Sequence, residues 1–295
     1  MAPSILRAPA LLAAVQESYS MNAPLLSAPR VEPFFFDADP GTRFSLYHAP
    51  APHIPARGAI LYVHPFAEEL NWCRRMAALQ SRRFAALGYA VLQIDLFGCG
   101  DSCGDFNAAR WELWQRDLAT ARAWLAERSP GPMHLWGIRL GALLALDAAR
   151  SSAVDGLILW QPVLNGRSAI NQFLRQRLPT ETGPQSSAAL RARLATHGQI
   201  EINGYELVAP LARAIDACDA ASMQLPACTI DWFASHGGAP ARLSAEAARL
   251  GARWGQHGVQ VRLHPIDGLP FWQGSVAECP ALLAATDAVF GSLLP

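Results

Sequence analysis

Gly137, Arg139 and Gly141 stand at the spacing of a G-x-S-x-G nucleophile elbow, inside the stretch "LWGIRLGALLA" (135–145). In that motif a strand turns sharply into a helix and lifts a serine hydroxyl onto the turn, and the glycines are needed because strand and helix pack closely. Serine attacks an acyl carbon when a neighbouring base takes its proton. Arg139 has no such chemistry, because a guanidinium stays protonated above about pH 12. What it offers is recognition. It opens a helix, whose free N–H groups and dipole favour an anion, and its planar donors add two-point binding of carboxylate or phosphate. A buried cation left unpaired is costly. The sequence therefore calls for a negative companion. One choice is Glu68 or Glu69 of a neighbouring loop, forming an internal ion pair. The other is a ligand such as a uronic acid, a sugar phosphate or an acyl-carrier phosphate.

The other two members of a serine triad are missing where they are expected. The acid belongs in the loop after the strand at 228–234, which reads Ser235-His236-Gly237-Gly238-Ala239-Pro240. The base belongs after the strand at 259–265, where the chain reads Ile266-Asp267-Gly268-Leu269-Pro270-Phe271-Trp272. His264 precedes that loop and falls within the strand. Three non-catalytic residue types at three expected positions argue against serine-type acyl transfer. Substitute groups are few. Cys103 and Ser102 are candidate nucleophiles, and His64 and His236 candidate bases. Asp95, Asp101, Glu68 and Glu69 are carboxylates close to the expected pocket, where a pair could do acid–base work on a glycosidic bond.

These residues need a scaffold, and the sequence supplies one. Apolar runs at 58–65, 88–98, 134–137 and 155–163 read as strands buried on both faces. "RFSLYHA" (43–49) alternates, and 228–234 and 259–265 read as further strands. Helices fall between them. Trp72, Met76 and Leu79 share a face, as do Trp111, Trp114, Leu118, Ala121 and Leu125. Residues 140–150 form another helix, Leu243, Ala247, Leu250 and Trp254 mark the next, and Leu282, Thr286, Val289 and Leu293 mark the last. Such alternation predicts an α/β chain with a mostly parallel central sheet flanked by helices. "HPFAEEL" (64–70) and "DLFGCGDSCGDF" (95–106), each directly after a strand, together with the elbow, predict the α/β-hydrolase fold. Residues 165–225 break the rhythm. They carry Arg167, Arg175, Arg177, Arg191 and Arg193, with "GQIEINGYELV" (198–208) as a short extended piece. This predicts an inserted helical lid over 165–225, a core of 30–164 and 226–295, and an extension over 1–29. The lid arginines either face a negatively charged ligand or are ordinary solvated side chains. Within the extension Met21 is a second candidate start, and 8–15 is too short an apolar patch for a clear signal peptide.

Composition narrows the function classes. Over 295 residues, 24 basic side chains balance 24 acidic ones, so no charge footprint points to nucleic acid or an anionic membrane. No apolar run reaches the 18 residues of a membrane span. Six scattered cysteines, without a second ligand pair at zinc spacing after Cys99 and Cys103, read as free thiols in a reducing compartment, here the cytoplasm. No metal site and no cofactor are implied.

The segments "VHPFAEELNWCRRMAALQ", "AVLQIDLFGCGDSCGDF", "LWGIRLGALLAL" and the late "FWQ" resemble the second type of exosortase A system-associated hydrolase. The likeness spans roughly residues 31–295 and rests on HPFAEE and the arginine elbow occurring together. It implies an α/β-hydrolase fold and a setting of exopolysaccharide production and PEP-CTERM protein sorting in Gram-negative bacteria. A shared fold does not by itself carry a reaction. Three functions follow. The first is a triad-less pseudoenzyme binding a small anionic molecule or an acyl or sugar ligand through Arg139, Leu140, His64, Phe66, Glu68, Glu69, Phe271 and Trp272. The second is a working hydrolase of ester or glycan-linked substrates through Cys103, Glu68, Asp95 or His64. The third is a structural partner of a sibling hydrolase.

Overall fold

The chain enters its sheet through β1 (Val31–Asp37) and β2 (Thr42–His48), paired antiparallel. The first of these, VEPFFFD, was not expected: Pro33 and three successive phenylalanines hide the alternation by which edge strands are read. The computed structural model describes residues 30–176, 186–235, 245–274, 276 and 278–291. The expectations for residues 1–29, Arg177, His236 and Leu243 lie outside them.

Next come β3 (Gly58–Val63), α1 (Glu68–Ala86), β4 (Tyr89–Ile94) and α2 (Trp111–Arg128). They are followed by β5 (Met133–Ile138), α3 (Leu140–Ser151) and β6 (Gly156–Trp160). The side chains of β3, β4, β5 and β6 are almost all buried, as an apolar strand covered on both faces requires. The insertion follows, with α4 (Gly166–Arg175), α5 (Ser187–His197), β7 (Gln199–Ile202), β8 (Tyr205–Val208) and α6 (Ala209–Ala217). The chain finishes with β9 (Thr229–Ser235), α7 (Ala245–Gly255), β10 (Gln260–Ile266) and α8 (Pro280–Gly291).

Eight strands make one sheet in the order β1-β2-β4-β3-β5-β6-β9-β10. β2 runs antiparallel to both of its neighbours, and every other pairing is parallel. Helices cover both faces. Trp114, Leu118, Leu143 and Trp254 bury one face, and Met76, Phe84, Leu282 and Phe290 bury the other. This is the predicted mostly parallel sheet with flanking helices.

The insertion leaves and rejoins the core at one neck. Gly166 N donates to the Cys218 carbonyl (2.8 Å), Asn165 Nδ2 to Asp219 (3.0 Å), and Ala220 N to the Leu164 carbonyl (2.8 Å). Gly166 has to be glycine, since a Cβ there would run into the Ile215 carbonyl. The extended piece at 198–208 is a hairpin, β7 against β8, turned by Asn203 and Gly204 at φ 51° and 86°. Two positive φ angles in sequence are what an Asn-Gly turn accepts at little cost.

Candidate functional site

Arg139 sits at φ 56° and ψ −119°, between the end of β5 and the start of α3. This is a strained conformation for a residue with a Cβ, and such residues cost on the order of 1–3 kcal/mol. The surroundings impose it. Arg139 N donates to the Trp160 carbonyl (3.0 Å), and its own carbonyl accepts from Ala142 N and Val163 N (both 3.1 Å). A Cβ on Gly137 would strike the Ala142 backbone, and one on Gly141 the carbonyls of Val63 and His64. The elbow is therefore built as the motif demands, with arginine at its tip.

The guanidinium turns inward, its side chain only 12% exposed. Nη2 donates to Gln172 Oε1 at 2.8 Å and Nη1 to the Gln161 carbonyl at 3.3 Å. Nε meets Glu69 Oε1 at 3.5 Å, and the Trp272 ring lies 5.2 Å from the guanidinium carbon. The ion pair is long, since charge-assisted contacts of this kind close to about 2.7–2.9 Å. Burial pushes the Glu69 carboxyl up from its ordinary value, with Arg139 opposing. The carboxylate that answers Arg139 from inside the protein is thus a weakened one.

Two small, separate cavities lie on either side of Phe66 and Leu140. One, of about 20 Å³, is lined by Arg139, Glu69, Gln172, Phe66 and Leu140 among others. The second, of about 10 Å³, is apolar and lies among Leu96, Cys99, Trp111, Trp114 and Leu144, with Phe66 and Leu140 as shared walls. Each holds about one water-sized group.

The remaining expected residues scatter. His64 is buried with both ring nitrogens engaged: Nδ1 bonds the Pro65 carbonyl (2.7 Å) and Nε2 accepts from Leu96 N (3.2 Å). Burial lowers its pKa, and no lone pair remains for a base. Glu68 does not pair with Arg139 but accepts from Asn71 (3.2 Å) and the Tyr205 hydroxyl (3.1 Å). Burial and then Glu68 push that hydroxyl up to about 12. Asp95 does not line either cavity; it accepts from Asp101 N (3.0 Å) and Arg74 (3.3 Å). Cys103 and Ser102, the candidate nucleophiles, line neither cavity. Cys103 lies beside β2, its Sγ donating to the Pro40 carbonyl and accepting from Arg43 (both 3.3 Å). Ser102 Oγ donates to the Asp95 carbonyl and accepts from Phe44 N (2.9 Å). Phe271, expected to bind ligand, is fully buried against Trp160 on the far side of the sheet from the apolar cavity. Of the insertion's arginines, Arg191 is held by Asp216 (2.7 Å) and Asn171 (2.6 Å), and none that is described lines the Arg139 cavity.

Sequence reasoning passed over an acid–histidine pair. Asp231 Oδ1 lies 2.8 Å from His264 Nε2, and Arg262 grips the same carboxylate through Nε (2.8 Å) and Nη2 (2.6 Å). Burial would raise Asp231, but the hydrogen bonds from His264 and Arg262 outweigh it and hold the carboxyl below its ordinary value. The pair is not at the elbow. Ile138, Trp160, Phe233 and His264 are in register across β5, β6, β9 and β10. Three strand spacings, about 14 Å, therefore separate His264 from the end of β5, and His264 stacks on Phe233 at 4.5 Å. Gln161 and Gln172 were also missed, because neither stands in a motif. Among the described residues no cluster of His, Cys, Asp and Glu could hold a metal ion. No described helix is long and apolar enough to cross a membrane.

The overall shape is widely shared. Est1E from Butyrivibrio proteoclasticus, with ferulic acid bound, superposes with a TM-score of 0.59 at 16% identity, over 88% of this chain and 98% of that one. XC6422 from Xanthomonas campestris, an α/β serine hydrolase without a lid, gives 0.53 at 15% identity, over 90% and 96%. The hypothetical protein PA2218 from Pseudomonas aeruginosa gives 0.60 at 13%, over 92% and 96%. At such identities the likeness is one of fold. A search among curated proteins found no match. The model of the α/β-hydrolase family described as serine aminopeptidase, S33, matches residues 54–255, more than half of the sequence, and the chain belongs to that family.

Proposed function

We propose that this chain is a triad-less member of its family, a pseudoenzyme whose elbow recognises an anion through Arg139 instead of transferring an acyl group. The observation that carries this reading is Arg139 itself: a buried cation kept on a strained backbone, facing a counter-carboxylate at 3.5 Å whose charge burial disfavours. Three of its five N–H donors have protein acceptors. A ligand carboxylate or phosphate with two-point geometry outcompetes Glu69 for this cation. The resemblance in the HPFAEE and elbow segments supports an exosortase and exopolysaccharide setting, and the six cysteines, read as free thiols, support the cytoplasm. Catalysis by other groups has less support, because His64, Asp95 and Cys103 are each bound elsewhere.

Titration calorimetry with sulfate, on the full chain and on Arg139→Gln, tests the reading. Saturable binding that weakens at least tenfold in the variant is expected. Equal binding by both proteins, or fluorophosphonate labelling at any serine, overturns it. A second reading, a structural partner of an active hydrolase, is favoured by the smallness of the cavity and by the Gln172 cap. Stable co-purification with such a partner, without anion binding, would select it.

A further inference from the structure

We infer that a second binding site lies at the edge of the sheet, between β10 and α8, and that it takes a phosphate monoester bearing a compact apolar group. An open groove of about 440 Å³ runs there, with Arg262, His264 and Pro265 of β10 on one side and Ala285, Ala288 and Val289 of α8 on the other. It falls in the size range of ligand pockets, about 300–1,000 Å³. It shares no lining residue with either cavity at the elbow.

A buried carboxylate organises the polar side. The Asp231 side chain is only 4% exposed, and its oxygens accept from Arg262 Nε and Nη2 and face His264 Nε2. Nε and Nη2 are one edge of the guanidinium. The other edge, Nη1 with the second Nη2 hydrogen, has no acceptor among the described residues and remains a two-pronged donor. Because His264 turns Nε2 to a carboxylate, that nitrogen carries the proton, and Nδ1 has no partner among the described residues. Arg262 and His264 stand two residues apart on one face of β10, about 7 Å along the strand, and converge on the same carboxylate. Fork and ring nitrogen together offer three contacts. A carboxylate ligand has two oxygens, which the fork alone satisfies, whereas a phosphate has a third for Nδ1. That third contact forms in either protonation state. A protonated phosphate oxygen donates to Nδ1, and a bare one accepts from it once the ring is protonated.

The facing wall is alanine and valine, with Ala288 exposed and Ala285 half-buried. Side chains this small leave room for a ring or short alkyl group, which gains by leaving water. The edge itself is closed to a pairing strand. Gln260 N donates inward to the Cys228 carbonyl (2.9 Å), so by alternation Val261 and Leu263 turn their N–H groups outward, and Pro265, next in that row, has none.

Calorimetry on the full chain carrying Arg139→Gln, which takes the elbow out of the measurement, tests this site. Phenyl phosphate should bind saturably, on the order of tenfold tighter than inorganic phosphate, and tighter than benzoate; phenol should not bind. Arg262→Lys keeps a charge beside Asp231 but loses the fork, and should weaken phenyl phosphate about tenfold. If that variant does not fold, Ala288→Phe fills the groove from an exposed position and should bring phenyl phosphate down to the affinity of inorganic phosphate. Absence of saturable phosphate binding, or binding indifferent to these groove substitutions, overturns the site. Benzoate as tight as phenyl phosphate overturns the three-point head, and phenyl phosphate no tighter than inorganic phosphate overturns the apolar wall. Anion recognition at Arg139 stands or falls separately, on the sulfate titration.

Discussion

The elbow of β5 and the strand pair β9–β10 each hold a charged cluster, and each lacks what the other has. At the elbow a cation stands where a nucleophile belongs, and the described candidate base, His64, has both ring nitrogens engaged. On β9 and β10 a carboxylate and a histidine are hydrogen-bonded as an acid and a base would be, with no described nucleophile hydroxyl or thiol bonded to them. Trp160 and Phe233 fill the sheet positions between the two. What a triad requires is thus not residue type alone but placement at the carboxyl ends of particular strands. Asp231 lies four residues before the end of β9 and His264 two before the end of β10, too deep in the sheet to serve the elbow.

The two clusters also differ in their relation to water, and that difference can be measured. Glu69→Leu leaves Arg139, 12% exposed, without its counter-charge. A loss of about 3 kcal/mol is expected by urea denaturation. A loss under about 1 kcal/mol would mean that Gln172, Gln161 and Trp272 suffice for the cation, and the ion pair would drop out of the account. Asp231→Leu releases Arg262, whose side chain is 47% exposed and can return to solvent, so the expected loss is nearer about 1 kcal/mol. If it exceeds the elbow's, the ranking by exposure is wrong.

A finer effect has opposite signs in the two regions. Glu69 is raised in the folded state, so its contribution is full below its unfolded value and is lost as pH rises through the folded one. Asp231 is lowered, so its contribution is full above its unfolded value and is lost as pH falls through the folded one. Denaturation across pH 3 to 7 should show Glu69→Gln costing most at the acid end and Asp231→Asn costing most near neutrality. The same slope for both would erase the distinction. The smallest effect is expected from Arg139→Ser, which restores the motif and nothing else. Its p-nitrophenyl ester hydrolysis should stay at the level of the parent protein, and saturable turnover would show that a base reaches the elbow after all.

The architecture was readable because buried parallel strands leave continuous apolar runs, as in Gly58–Val63 and Tyr89–Ile94. The elbow was readable because two glycines are sterically obligatory there. The site around Arg139 was harder to read. Glu69 was one of two carboxylates expected as its partner, and Glu68, one residue away, was equally eligible from sequence; the Trp272 ring over the cation carries no spacing signal. Which of two adjacent helix residues points inward depends on the phase of α1, and that phase is set by packing. Gln172 comes from the insertion, and an uncharged amide on an amphipathic helix carries no spacing that marks it. Asp231 and His264 were hidden because strands on neighbouring sheet positions are far apart in sequence, here by 33 residues.

The first turn of α1 has one further consequence. Glu68 is held by Tyr205 at the tip of the insertion's hairpin, and Glu69, the next residue, by Arg139 in the interior. Adjacent residues thus tie the hairpin and the elbow cation to one short piece of backbone. A displacement of this first turn therefore shifts both contacts together, so the two ends of the site are not independent of one another.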